Sequence, residues 1–332
     1  MITTFVVLSN ITIVAAMLVS RDAFTTNNDH NITKLLMASM ACVDILIGTF
    51  HMPISVVKII NNGKWILGTE LCSIWYHIGN AFCGVTASHI LCIAVDKYLA
   101  VGKPLVYRVL TKRFGYITIL ISWTLPSAMF LLPLVSDWFG TTNDELTNGN
   151  EKIITCSSVL NKNILLLFYS LGIYLPVLTT YILYGLIISE IWKFNKRKSF
   201  NAKNHVQVNF YSKKSKLSTI SETPSNKPLS NQESHSKRFC ENINTERDQQ
   251  SNNPTSYQQG ISKMTRRFSR NMKAIRTLGT IVLCFTFCWM PVWIYVAIYS
   301  YHQLELPSTY ILFIGWLAYT NSAVNPVLYS FF

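Results

Sequence analysis

The side chains of this sequence that could do chemistry stand singly in long apolar runs. Asp44 lies in the second such run and His77 and His89 in the third, which ends on an adjacent acid and base, Asp96-Lys97. No pair of carboxylates is set for acid–base work, no His/Cys set has metal-ligand spacing, and no nucleophile motif is present, so the constellation an enzyme needs is missing. An ionisable group at membrane depth is expensive unless it meets a partner or water. Asn10 in the first run has the same difficulty, and we expect it to meet Asp44 or to share a water cluster with it.

The elements that must position these groups follow from composition. Half of the 332 residues are hydrophobic and only 14% are charged, far from a soluble enzyme of this size and typical of an integral membrane protein. Apolar runs of spanning length cover residues 1–20, 33–59, 70–100, 115–136, 163–192, 274–300 and 307–331. The expected fold class is therefore an all-α membrane protein, a bundle of seven transmembrane helices. In the third, Cys72 to Lys97 makes a helix of about 37 Å, longer than the roughly 30 Å hydrocarbon core, so it crosses with some tilt. The first run lacks the basic n-region and A-x-A-like exit of a signal peptide and reads as a short or truncated span. Pro53, Pro126, Pro133, Pro176 and Pro291 would break soluble helices; in a bundle they point to kinked spans around a cavity.

The net charge of +13 invites a nucleic-acid partner, but its distribution argues otherwise. Of 29 Lys and Arg, 18 lie between Lys193 and Arg276, and Lys97, Lys103, Arg108, Lys112 and Arg113 follow the third run. Acids such as Glu70, Asp137, Asp144, Glu145, Glu151 and Glu305 mark the opposite loops. Basic loops face the cytosol, which places the N-terminus outside and makes the basicity a matter of topology, not of nucleic-acid binding. Neither Asn10-Ile-Thr nor Asn31-Ile-Thr should then be glycosylated, the first lying in a span and the second on the cytosolic side. Residues 197–262 are too polar to bury a core and read as a disordered cytoplasmic loop between segments 1–196 and 263–332. Its basic ends, SEIWKFNKRK and SKMTRRFSRNMKAIRTLG, read as helical extensions that meet anionic lipid headgroups or a cytosolic partner. Of eight cysteines, Cys42, Cys83, Cys92, Cys284 and Cys288 read as small packing residues, and Cys240 falls in the reducing compartment. Cys72 and Cys156 alone fall on the outer face, and their pairing is the one disulfide this topology permits.

Together these features resemble the rhodopsin-like (class A) G-protein-coupled receptors along nearly the whole chain. Span six reads FTFCWMP, Phe285 to Pro291; span seven reads WLAYTNSAVNPVLY, with Asn325-Pro326-x-x-Tyr329; span four carries Trp123, span two ASMACVD then MP, and span five Pro176 with Tyr184. Trp65, PLVYR after span three and WLAYTNSAVNP resemble the biogenic-amine branch, near serotonin, histamine and trace-amine receptors. The resemblance implies an allosteric receptor at the plasma membrane. Its expected partners are an extracellular small-molecule ligand, a heterotrimeric G protein and membrane lipid, and it needs no catalysis. It implies a switch at Trp289 and Phe285 with Pro291 as the swing point of span six, coupling through Asp96, Lys97, Tyr98, Tyr184, Pro326 and Tyr329, and a sodium and water site at Asp44, Thr86, Asn321, Ser322 and Asn325. Ligand contacts are expected at Gly79, Asn80, Cys83, Tyr169, Trp289, Trp293, Val296, Trp316 and Tyr319.

Three departures bear on function. Where amine receptors place the aspartate that pairs with the ligand ammonium, this sequence has Gly79, followed by Asn80, and no replacement acid stands at that level; simple amines are expected to bind poorly, and Gly79→Asp to recover them. The Asp-Arg-Tyr motif reads Asp96-Lys97-Tyr98, which keeps the charge but loses the planar fork of a guanidinium. The sequence stops at Phe332, where a further helix is expected, which suggests an incomplete chain. A transporter would show internal repeats, and an opsin a lysine in the last span; neither is present. A non-signalling receptor-like protein acting as chaperone or dimer partner is the remaining alternative.

Overall fold

A computed structural model of the chain describes residues 1–19, 31–110, 112–135, 145–148, 151–154, 156, 162–218, 254–302 and 306–330. Seven helices are long and apolar enough to cross a membrane: Ile2–Val19, Ile32–Ile60, Thr69–Gly102, Arg113–Leu134, Asn163–Arg197, Ile275–Tyr299 and Thr309–Ser330. They are numbered here as spans one to seven. Asp137, Asp144, Cys240 and Glu305, used above to orient the chain, lie outside the described residues.

Span three is the pillar of the bundle, with 56% of its most apolar window buried, the largest share of the seven. Small residues make this possible: Ala81, Gly84, Ala87 and Ala94 are buried along it, letting spans two and four approach closely. Gly68, at φ +84°, opens the span in a backbone region closed to most side chains, and its carbonyl accepts a 2.6 Å hydrogen bond from Trp65 Nε1. Trp65 packs on a disulfide between Cys72 and Cys156, whose Cα atoms are 5.6 Å apart. This is the pairing expected from topology.

The prolines act in two ways. Pro53 and Pro176 each follow a π-helical turn, Ile47–His51 in span two and Ser170–Tyr174 in span five. A proline has no N–H to return to the preceding turn, and the widened turn absorbs the missing bond. Pro126, Pro291 and Pro326 lie inside continuous helices, while Pro133 sits in the short 3-10 turn Leu132–Leu134 that ends span four.

Span one packs against spans two and seven through the buried Val6 and Asn10. Span two is tied across the bundle by Ser39, whose oxygen lies 2.9 Å from both Trp123 Nε1 of span four and His89 Nε2 of span three. His89 Nδ1 stands 2.8 Å from the Val85 carbonyl, so this histidine is a satisfied structural group.

Two elements differ from the sequence reading. An antiparallel hairpin, β1 (Glu145–Asn148) and β2 (Glu151–Ile154), follows span four. The helices also run further into the polar stretch 197–262 than its composition suggested: one covers Leu175–Ser218 and the other begins at Pro254 and runs to His302. No Gly or Pro interrupts 186–218, and Pro254 takes the first helical position, where its missing N–H costs nothing. The chain divides into a bundle unit, Met1–Ile188 with Lys273–Phe332, and a second unit, Ser189–Met272. Within the second, Lys193 pairs with Glu190 at 2.7 Å and Lys196 lies over the exposed Trp192 ring at 5.5 Å.

Candidate functional site

Four groups of side chains in the bundle are candidates for function, and span three passes through or beside all of them. At its disulfide end, aromatic rings form a continuous ladder. Trp316 meets Tyr319 edge-on at 5.4 Å, Tyr319 meets His51 at 5.6 Å, and His51 stacks on Trp75 at 4.7 Å. Lys58 then lies over the Trp75 ring, its Nζ 5.8 Å from the ring centre.

His51 is held at both ring nitrogens: Nε2 is 3.1 Å from the Trp75 carbonyl and Nδ1 is 2.8 Å from the Tyr319 hydroxyl. A carbonyl only accepts, so Nε2 carries the proton and Nδ1 accepts from Tyr319. The Trp75 indole returns a 3.1 Å bond to the His51 carbonyl. A side chain at position 79 would run into this ring, since a Cβ there would sit against Nε2 and within 2.8 Å of Cε1. Gly79 is therefore the residue that admits His51 into the space between spans two and three. This adds a condition to the expectation for Gly79→Asp: the His51 ring must shift before a side chain at 79 can be accommodated.

A second aromatic set joins spans three, five and six. Tyr169 donates to Asn80 Oδ1 at 2.6 Å, Tyr174 donates to the Trp293 carbonyl at 3.2 Å, and Phe285 packs against both Trp289 and Trp293 at 6.2 and 5.8 Å. Cys83 and Val296 are buried in the same core. The indole N–H groups of Trp289, Trp293 and Trp316 are buried with no acceptor.

The third group is polar and deep. Asp44 is fully buried, with Oδ2 accepting from Asn325 Nδ2 at 2.9 Å, and Ser322 lies beside the same carboxyl. Of the two arrangements expected for Asn10, direct contact with Asp44 is not formed; its amide donates to the Ser322 carbonyl at 3.1 Å and to Val6 O at 2.9 Å. Asp44 Oδ1, Asn10 Oδ1, Asn321 Oδ1 and the Tyr329 hydroxyl are buried without partners. Thr86 spends its hydroxyl proton on Phe82 O of its own helix, at 2.9 Å.

At the far end of span three, Asp96 and Lys97 are both buried and lie 3.2 Å apart. Thr33 of span two donates to Asp96 and accepts from Lys97 Nζ, each at 2.5 Å, and Tyr107 donates to the other Asp96 oxygen at 3.0 Å. Burial first, and then the Asp96 charge, raise the Tyr107 phenol far above its ordinary value, so it stays a donor. Lys97 is thus engaged with span two. Tyr98 packs back on Gly102, and Tyr184 of span five stands against Gly279 of span six, where an added Cβ would lie 2.7 Å from its Cζ.

Sequence reasoning missed His51, Lys58, Trp75, Thr33, Tyr107 and Tyr174. The first had a readable signal, an ionisable residue seven positions after Asp44 in a span. The Thr33 contact had none, because a threonine at a helix start has many bland uses.

Comparison with known proteins agrees with this arrangement. The model of the 7 transmembrane receptor (rhodopsin family) matches residues 9–329. Octopamine receptor beta-1R of Drosophila melanogaster is 27% identical over 304 residues, which cover 91% of this chain and 53% of the relative. Octopamine receptor beta-2R of Chilo suppressalis is 27% identical over 303 residues, covering 91% and 68%, and trace amine-associated receptor 8c of Rattus norvegicus is 30% identical over 308 residues, covering 91% and 74%. The chain spans about half the length of the Drosophila octopamine receptor. With seven spans in order and the family matched over all of them, this multi-pass membrane protein belongs to the rhodopsin family of seven-transmembrane receptors, which are receptors and not enzymes.

Proposed function

We propose that this chain carries the binding of a small extracellular ligand across the plasma membrane to a heterotrimeric G protein, with its N-terminus outside. The observation that carries this reading is that one helix, Thr69–Gly102, holds the aromatic ladder near its disulfide end and the buried Asp96-Lys97 group at the other. A ligand beside Trp289, Trp293, Trp316 and Tyr319 presses on Phe285, and Pro291 leaves span six a missing hydrogen bond about which to swing. The ligand and the G protein then favour the same arrangement, each raising the other's affinity, a coupling typically of about 1–3 kcal/mol.

The deep polar group suits a hard cation: three buried amide and carboxylate oxygens without partners, on spans one, two and seven, are what sodium and its waters require. Asp44, Asn321, Ser322 and Asn325 would hold the ion, which would supply a positive charge opposite Asp44.

A non-signalling role, as chaperone or dimer partner, is favoured by one observation, the engagement of Lys97 with Thr33 and Asp96. A ligand screen on the full-length protein in cells, read by second messenger at measured surface expression, separates the two. Signalling to any ligand supports the receptor; ligand binding without a response across all G-protein classes supports the alternative.

A further inference from the structure

The disulfide half of the bundle carries a charge pattern opposite to that of an amine site. Among the residues of spans two to seven toward that end, the only carboxylate is Glu70, in the first turn of span three. The charged side chain on the aromatic ladder is a cation, Lys58, which forms no ion pair among the described residues. It rides over the Trp75 face, a contact that leaves its three N–H donors available. Lys58 follows His51 by seven residues, about two helical turns, so both stand on one face of span two.

The unspent polar atoms tell the same story. The buried N–H groups of Trp289, Trp293 and Trp316 are donors with nothing to donate to. A buried donor is costly until an acceptor arrives, and an ammonium ion brings donors only. A carboxylate brings acceptors only. Three acceptors among or beside the expected ligand contacts already hold a donor: Asn80 Oδ1 accepts from Tyr169, the Trp293 carbonyl from Tyr174, and His51 Nδ1, with its single lone pair, from Tyr319.

We propose that this receptor takes an aromatic organic anion, with its carboxylate paired to Lys58 and to indole donors, its ring against Trp316 and Tyr319, and His51 filling the place of a cation-binding acid. The inference rests on the reading that ligand binds in this half of the bundle. It commits the charge of the ligand, which that reading leaves open.

The test uses two probes with one ring and opposite charge, indole-3-acetate and tryptamine. Binding of each is titrated directly on the purified full chain in lipid nanodiscs, so signalling plays no part. Indole-3-acetate should bind at least about tenfold more tightly than tryptamine. Lys58→Gln should weaken the acid about tenfold and leave tryptamine unchanged, while Lys58→Arg, which keeps the charge, should retain it. The double substitution His51→Val with Gly79→Asp should reverse the preference, because it removes the imidazole before adding the carboxylate. Tryptamine binding as tightly as the acid, Lys58→Gln without effect on the acid, or no binding of either probe to folded protein each overturns the proposal. A second-messenger response to a different ligand alongside any of these would leave the proposed receptor function standing.

Discussion

Thr33→Val tests whether the Asp96-Lys97 group is held from span two. Valine matches threonine in shape, so the substitution removes one hydroxyl from a fully buried site with little change in packing. That hydroxyl makes two bonds to charged groups, donating to Asp96 and accepting from Lys97 Nζ. Each such bond contributes about 1.5–3 kcal/mol net, an upper sum of roughly 3–6 kcal/mol. The losses are not additive, because Asp96 keeps the Tyr107 hydroxyl at 3.0 Å and the Lys97 ammonium at 3.2 Å, and the pair can close on itself. We expect a net loss of about 2–3 kcal/mol, which in a chain of this size lowers the unfolding midpoint by roughly 3–4 °C. Tryptophan fluorescence during thermal unfolding of the purified protein reads this directly. Thr33→Ser, which keeps the hydroxyl, should melt with the wild type. A Thr33→Val midpoint within about 1 °C of wild type would show that Thr33 does not support the pair, and the reasoning would fail.

Three further outcomes are expected. Mass spectrometry of the unreduced protein should recover Cys72 and Cys156 as one linked peptide, and Cys72→Ala should abolish surface expression, since closing this 84-residue separation is worth on the order of 4 kcal/mol; free thiols at both positions would contradict it. Lys97→Arg should raise agonist-driven G-protein signalling at equal surface expression, because a guanidinium makes paired contacts that an ammonium cannot; an equal or weaker response counts against a coupling role for this residue. Sodium should raise the unfolding midpoint of the wild type more than an equal concentration of choline does, and Asp44→Asn should remove the difference; a sodium effect that survives the substitution would move the ion elsewhere.

Much of the fold was legible because the membrane leaves few choices. With no water in the hydrocarbon core each backbone group must bond within its own helix, so apolar length alone marks a span, and the seven runs match the seven helices closely. The disulfide was legible for a related reason, since topology leaves only two of eight cysteines on the oxidising face. The helical extensions to Ser218 and from Pro254 were less legible, because polar composition bears on whether a segment buries a core and says little about whether its backbone coils. The site was legible where a motif fixes a residue's depth, as with Asp44 and Asn325, 2.9 Å apart across spans two and seven. It was not legible where a contact depends on the turn in which a side chain is presented. Thr33 meets Asp96, Asn10 meets Ser322 instead of Asp44, and neither pairing follows from residue type.

Gly79 and His51 show most sharply why a departure from a family pattern should be read in space before it is read as a loss. Along the sequence, Gly79 stands where the resemblance to amine receptors leads one to expect an aspartate, and the inference that follows is a weakened amine site. In the bundle, Gly79 and His51 share one space, since the ring of His51 occupies the room that any side chain at 79 would need. Tyr319 donates to His51 Nδ1 at 2.8 Å and so helps to orient the imidazole. The two substitutions are therefore expected to be strongly non-additive toward an amine. Gly79→Asp alone must displace a ring held at both nitrogens and should gain little or destabilise the chain; His51→Val alone removes the acceptor of the Tyr319 proton, leaves that hydroxyl its Ser55 contact and supplies no carboxylate, so it gains nothing. Only together do they restore a carboxylate with room to ionise beside a tyrosine donor. A double-mutant cycle read by tryptamine binding measures this, and additive single effects would mean that His51 and Gly79 do not share the space their geometry assigns them.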